Sequence, residues 1–275
     1  MYSNPQSLML DGRLISLKRP LVMGIVNVTP DSFYAESRVA DSVLERVAQM
    51  LEDGADIIDV GACSTRPGSQ SVSEEEEMRR LASPLREISR AFPDALISVD
   101  TFRAAVARRC AGEFGVRIIN DISGGQDPEM FPLVASEGLG YVLMHTRGTP
   151  ADMASLAHYD DVVAEVLSDL AFRLDTLRAA GAANVIVDPG FGFAKTLDQN
   201  YRLLANLEVF KALEAPILVG ISRKSMVSKV QGITPDESLP GTLALNTVAV
   251  MKGAGILRVH DVRETVQLIN VLERL

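Results

Sequence analysis

The sequence predicts an α/β fold, a (β/α)8 TIM barrel with a short N-terminal β-hairpin. From about Leu21 onward, short β-branched apolar runs alternate with longer segments of helical period, the signature of a parallel sheet with crossover helices. Eight such units suit closure into a barrel better than an open doubly wound sheet, and no GxGxxG follows the first strand. The third observation is where the apolar runs stop. Val22–Val26 ends at Asn27, Leu96–Val99 at Asp100, Arg117–Ile119 at Asn120, Val185–Val187 at Asp188 and Ile256–Leu257 at Arg258, while Ile217–Ile221 runs into Ser222-Arg223-Lys224-Ser225. Polar groups at one end of many parallel strands are how a barrel builds a ligand site.

Taken in order, Ser7–Leu10 and Arg13–Leu17 flank Asp11-Gly12, a strong hairpin signal. The hairpin, within residues 1–18, is expected to cover the bottom of the barrel, and residues 1–275 to form one domain. Strands are expected near 22–27, 56–61, 95–100, 116–121, 140–145, 184–188, 216–222 and 255–259. Helices are expected near 40–53, 74–91, 102–114, 128–138, 160–180, 197–213, 236–253 and 262–274. Gly54, Gly115, Gly181 and Gly253 stand where left-handed helix ends are expected. The acid run Glu74–Glu77 falls in a first helical turn, where the helix dipole favours negative charge.

Composition sets bounds on function. The 275 residues are 47% apolar, ample for a core, and 27 Lys+Arg against 36 Asp+Glu give a net charge of −9. That balance argues against nucleic-acid or anionic-membrane partners, but not against a small anion held by a few clustered bases. Cys63 and Cys110 are too few for a disulfide scaffold or a zinc site, which suits a reducing cytoplasm. The N-terminal stretch lacks a basic and apolar leader pattern, and no apolar run approaches membrane-spanning length.

Asp100 and Asp188 end apolar strands, so each should stand at the barrel mouth, where a carboxylate accepts two N–H bonds from one edge of a flat heterocycle. The competing reading is a helix cap, since Asp100-Thr101 precedes a helix; Asn27 and Asn120-Asp121 carry the same ambiguity. Arg258 and His260, two apart in a strand, share a face, and loops after the seventh and eighth strands of this fold often bind phosphate. A surface salt bridge is the alternative for Arg258. The segments Asn27–Phe33 and Ser64–Gly68 read as loops closing over a substrate. Asp188–Phe193 is a Gly/Pro turn whose Phe191 reads as packing more readily than Phe193.

The ordered set GIVNVTPDSF, STRPG, SVDT, INDISG, MH, DPGFGF, SRKS and RVHD resembles the dihydropteroate synthase family, from about Leu21 to the C-terminus. The resemblance implies a transferase of folate biosynthesis and a sulfonamide target. Its substrates would be p-aminobenzoate and a dihydropterin diphosphate, its products 7,8-dihydropteroate and pyrophosphate. It implies that Asp100, Asn120, Asp188 and Lys224 hold the pterin, and that Arg258 stacks over the ring. Arg258, His260 and Asn27 would hold the diphosphate, with Thr65 also at that subsite. Asn27 would ligate Mg2+, and Phe33, Thr65, Arg66, Pro67, Phe193 and Ser225 would form the p-aminobenzoate pocket. Asp100, Asp188, Lys224 and Arg258 are the implied catalytic set, in a cytoplasmic homodimer joined through the last helices.

Three departures from the family pattern stand out. Tyr34-Ala35-Glu36-Ser37 replaces Ser-Asp-Gly-Gly, so that Glu36 is expected to stand in for the acid missing at Ala35. Ala62-Cys63 replaces Gly-Glu, with Cys63 read as a packed residue rather than a reactive thiol, and Ala194 precedes Lys195 where a glycine is usual. Two alternatives remain beside the synthase: a methyltetrahydrofolate:corrinoid methyltransferase-like barrel, and a non-catalytic pterin-binding relative.

Overall fold

The chain forms its hairpin and barrel in the expected order in a computed structural model. It describes residues 7–10, 12–28, 36–63, 72–149 and 151–275, with the backbone alone for 36–41. The hairpin pairs β1 (Ser7–Leu10) with β2 (Arg13–Ser16) antiparallel, Leu10 facing Arg13. The barrel strands are β3 (Leu21–Asn27), β4 (Ile57–Gly61), β5 (Ile97–Asp100), β6 (Ile118–Asp121), β7 (Gly140–Met144), β8 (Val185–Asp188), β9 (Leu218–Val219) and β10 (Ile256–Val259). They are hydrogen-bonded in the order β8-β7-β6-β5-β4-β3-β10-β9, all parallel. A single parallel bridge, Val187 to Ile217, closes the ring between β8 and β9.

Around the sheet run α1 (Glu36–Glu52), α2 (Glu74–Ala91), α3 (Ala104–Phe114), α4 (Met130–Glu137), α5 (Val162–Ala179), α6 (Leu197–Ala205), α7 (Ser225–Gln231), α8 (Leu239–Met251) and α9 (Val262–Leu272). The seventh strand is much shorter than the expected 216–222. Pro216 has no N–H to give the sheet, and a turn closes by Lys224 N donating to Ile221 O at 3.0 Å. The short helix α7 was not expected at all. The segment 197–213 is not one helix either, because the backbone leaves helical geometry at Asn206 (φ −120°) and continues as a 3-10 turn over Leu207–Leu213. Gly54, Gly115, Gly181 and Gly253 do adopt positive φ, as the sequence suggested.

Successive strand residues face opposite sides, and here that alternation sorts the chemistry. Ile58, Val60, Val99, Ile119, Leu143, Val187, Val219 and Leu257 pack outward against the helices in one large buried cluster. Met23, Ile57, Ile118, Val142, Ile186, Leu218 and Ile256 fill the lower interior, where Leu8 and Leu10 of the hairpin join them. The hairpin therefore plugs the bottom, each fully buried aliphatic side chain contributing about 1.5–3 kcal/mol. Two residues further along the same inward face stand Asp59, Asn120, Asp188 and Arg258, and Asp100 pairs with Asn120 in the ladder. The polar mouth rests on an apolar floor.

The acid run Glu74–Glu77 does form the first turn of α2, as expected. Glu74 and Glu75 are exposed, and Ser73 caps the helix by accepting from Glu76 N at 3.2 Å. Glu77, however, is fully buried and ion-paired with Arg103. Arg103 also donates to Val72 O at 2.6 Å and lies over the Phe102 ring at 4.5 Å. At i+3 from Glu74, its side chain turns from solvent to the α2–α3 seam, and a buried carboxylate needs that partner. Arg103→Met should destabilise the fold by about 3 kcal/mol or more by stranding Glu77, whereas Glu77→Leu combined with Arg103→Met should recover most of the loss. Urea unfolding of both variants checks this; a single variant as stable as the parent would contradict it.

Candidate active site

Arg258 centres the barrel mouth. Its Nε donates to Asp59 Oδ2 at 2.7 Å and its Nη2 to Asp100 Oδ2 at 2.9 Å. Asp59 is fully buried and also accepts from Ser98 Oγ at 2.6 Å and from Asn120 Nδ2 at 3.0 Å. One guanidinium thus ties β4 and β5 to β10, and β6 joins them through Asn120 and Asp59. Gly61, opposite Asp100 in the ladder, leaves the room: a Cβ there would lie 3.3 Å from Asp100 Cβ.

Burial is the main influence on the Asp100 carboxyl and raises its pKa; Arg258 opposes this and Asp59 adds to it. The 2.9 Å contact with Arg258 favours the ionised carboxylate, against the burial that raises it to about 7. Burial likewise raises Asp188, against the pull of Lys224. For Arg258 burial acts the other way, but Asp59 and Asp100 outweigh it and keep the guanidinium above its ordinary value.

The second half of the mouth is the turn after β8. Asp188 accepts from Gly190 N at 2.7 Å. Lys224 donates to Phe191 O at 2.5 Å and stands 4.7 Å from the centre of the Phe193 ring. Phe191 is fully buried packing and Phe193 is 8% exposed, against Ile122, Met144 and Met153. Burial lowers Lys224 to about 8, with Asp188 opposing. Beside it, His260 Nδ1 meets Ser222 Oγ at 3.1 Å, and burial together with Arg223 and Arg258 lowers His260 to about 4. At neutral pH His260 therefore presents a neutral imidazole. Arg223, at φ +57°, turns instead to Asp261 at 2.6 Å.

Of the residues the sequence singled out, Asp100, Asn120, Asp188, Lys224 and Arg258 converge on this mouth. The helix-cap alternative for Asp100 falls away, because α3 begins with Ala104 N donating to Asp127 at 2.8 Å. The salt-bridge reading of Arg258 is correct in kind but wrong in place, since the bridge lies inside the barrel. Asn27 ends β3 exposed, and Ser225 opens α7 exposed. Thr65, Arg66, Pro67, Phe33 and Ala35 lie outside the described residues, as does the side chain of Glu36. Burial and Glu77 push the Cys63 thiol up to about 12, consistent with a packed rather than reactive residue.

Sequence reasoning missed Asp59, Ser98, His145 and Lys195 as parts of this assembly. The available signal for Asp59 was a lone carboxylate inside Ile57–Gly61, on the parity that faces the barrel axis.

Carboxylates and an amide on one side, a lysine and an arginine on the other, and an apolar floor define a barrel for a flat, polar-edged heterocycle bound near an anion. The family described as pterin binding enzyme matches residues 23–260. The dihydropteroate synthase of Escherichia coli (strain K12) is 43% identical over 271 residues, 97% of this chain and 95% of that one. That of Haemophilus influenzae is 40% identical over 265 residues, 95% and 96% of the two chains. The solved Yersinia pestis dihydropteroate synthase with a sulfonamide drug complex superposes with a TM-score of 0.91 at 41% identity, covering 98% of each chain. The Xanthomonas albilineans enzyme in complex with 7,8-dihydropteroate gives 0.86 at 36% identity, again covering 98% of each. The chain belongs to the pterin-binding enzyme family and, within it, to the dihydropteroate synthases. The corrinoid methyltransferase alternative is not favoured.

The turn itself is sterically specified. At Gly190 (φ +74°) a Cβ would fall 1.9 Å from His145 O, whereas at Gly115 (φ +70°) nothing lies within 4 Å. Gly115→Ala should cost roughly 1–2 kcal/mol of stability from backbone strain alone. Gly190→Ala should cost clearly more and lower activity about 100-fold by displacing Asp188 and Phe193. Thermal melts and steady-state assays of the two variants check the contrast, and equal effects would contradict it.

Proposed function

We propose that the barrel mouth performs the synthase reaction by dissociative substitution: p-aminobenzoate displaces diphosphate from the (7,8-dihydropterin-6-yl)methyl carbon, giving 7,8-dihydropteroate. The arylamine is the nucleophile, so no nucleophilic side chain is required. The protein supplies position and field. The observation that carries this reading is the pairing of Arg258 with Asp59 and Asp100 beside Asp188 and Lys224.

The pterin carries a guanidine-like edge, a chemical counterpart of the arginine side chain. Arg258 then occupies Asp100 until that edge arrives, and exchanges places with it. Asp100 and Asp188 accept the edge, Asn120 adds a polar contact, and Lys224 donates to the carbonyl and ring-nitrogen side. Released from Asp100, Arg258 serves the ring face and, with His260 and Asn27, the departing diphosphate. The family resemblance assigns Phe193 and Ser225, together with Phe33, Thr65, Arg66 and Pro67, to the arylamine. That the Xanthomonas albilineans enzyme has been solved with 4-aminobenzoic acid and with 7,8-dihydropteroate supports this assignment of ligand chemistry.

Among the described residues, magnesium fits the amide donor of Asn27. Among the described residues no group of three or more His, Cys, Asp or Glu side chains could hold a metal ion. Mg2+ commonly keeps its waters and takes one protein oxygen plus substrate phosphates, which the exposed amide of Asn27 at the strand end can provide. Bound there, it would neutralise charge on the leaving diphosphate. The exposed Met251 and Val271, at 70% and 67%, support a homodimer through the last helices. The two unpaired cysteines support a cytoplasmic setting, and among the described residues no helix is long and apolar enough to cross a membrane.

With Mg2+ and both substrates, the protein should form dihydropteroate; tight binding of the pterin diphosphate without product would favour the non-catalytic relative. Asp100→Asn and Lys224→Met should each lower kcat/KM for the pterin by about 10–100-fold, the loss of one charge-assisted hydrogen bond. Lys224 donates best while charged, so kcat/KM should fall as pH rises through about 8, and Lys224→Met should lose that basic limb. Pyrophosphate release in the absence of p-aminobenzoate distinguishes dissociative from concerted substitution. Release favours the former.

A further inference from the structure

The turn that carries Asp188 and Phe193 is gripped from two sides by two lysines. Lys224 donates to Phe191 O from the mouth. On the far side, Lys195 Nζ lies 3.0 Å from Gly190 O, 3.0 Å from Phe193 O and 3.1 Å from His145 Nδ1, the last on the loop after β7. His145 O lies farther off, at 3.5 Å, and the three nearer acceptors match the three N–H groups of an ammonium. We propose that Lys195 is a positioning residue of the synthase: its ammonium folds the turn 188–195 onto the β7 loop and so fixes Asp188, Phe193 and Lys224 for the pterin and the arylamine.

Three further observations support this. Ala194, directly before Lys195, is held at φ +47°, a conformation that a non-glycine residue keeps only where its surroundings impose it. Gly190, whose carbonyl Lys195 holds, also donates through its own N–H to Asp188 Oδ1 at 2.7 Å, so the lysine and the carboxylate proposed to contact the pterin bond to the two flanking peptides of one residue. A second polar tie, Gly192 N to Asn200 Oδ1 at 2.7 Å, fixes the other loop of the turn to α6.

His145 must accept at Nδ1 for this arrangement. It is buried, and burial together with Lys195 lowers it to about 2, so it is neutral and free to accept. Burial also lowers Lys195 itself, to about 7, against Asp188. The three-acceptor geometry favours the charged amine over what burial alone would give. The other charged groups that act on Lys195 are Lys224, Arg147 and Asp169.

The inference rests on the proposed role of the turn at the substrate site. Lys195→Met keeps the stem and removes the donors, while His145→Leu removes one acceptor and leaves the ammonium. KM for p-aminobenzoate, KM for the pterin diphosphate, kcat and thermal melts should be measured for both, with Asp188→Asn as reference. Lys195→Met should raise both KM values about tenfold or more, because a reacting group displaced by an ångström costs up to about 100-fold, and His145→Leu should shift them less in the same direction. A structural role alone would lower the melting temperature and leave both KM values unchanged in the folded fraction. Unchanged KM values in Lys195→Met, or in His145→Leu if the first variant does not fold, would overturn the inference. An Asp188→Asn enzyme with parental pterin affinity would instead overturn the reading of the site.

Discussion

The guanidinium of Arg258 is the constraint on which the barrel mouth depends. Three acids, Asp59 within β4 and Asp100 and Asp188 at the ends of β5 and β8, stand above a floor of Val, Ile, Leu and Met side chains. Burying that much like charge is unfavourable unless cations share the space. Arg258 and Lys224 share it, and each does so by bonding to an element other than its own: β4 and β5 for Arg258, the turn after β8 for Lys224. The charges therefore fix the relative positions of strands far apart in sequence. Truncating Arg258 would leave two carboxylates stranded, a situation that typically costs about 3–5 kcal/mol.

The same arrangement accounts for the ligand chemistry proposed for the site. A pocket that stores its carboxylates against its own arginine is already shaped for a guanidine-like edge. A ligand carrying such an edge need not desolvate the acids afresh, since they were never fully solvated. Selectivity follows: a heterocycle without paired N–H donors would have to displace Arg258 and leave buried oxygens unpaired. The neutral His260 and the exposed Asn27 stand where the proposed diphosphate and its counter-ion would remain close to water.

Much of the fold was legible because periodicity reports faces. Alternation in β3 to β8 and β10 placed Asp100, Asn120, Asp188 and Arg258 on one inward side, and the Asp11-Gly12 turn announced the hairpin. What the pattern could not report was partnership. Asp59 looked like an interruption inside an apolar strand, and only the closed barrel brings Ser98, Asn120 and Arg258 around it. Glu77 read only as one of four acids in a first helical turn, yet helical rotation turns it inward to Arg103. The shortness of β9 and the break at Asn206 depend on tertiary closure, which overrides the apolar run and the helical period. Lys195 was visible beside the DPGFGF turn, but its three acceptors come from two separate loops.

The most direct test of the Arg258 exchange is a crystal structure of the enzyme with the pterin diphosphate bound. Arg258 Nη2 and Asp100 Oδ2, 2.9 Å apart here, should separate beyond hydrogen-bonding distance. Asp100 should then accept from the pterin edge, and Asp59 should keep its bonds to Ser98 and Asn120. A pterin seated in the mouth with the Arg258–Asp100 pair intact would contradict the exchange on which the proposed site is built.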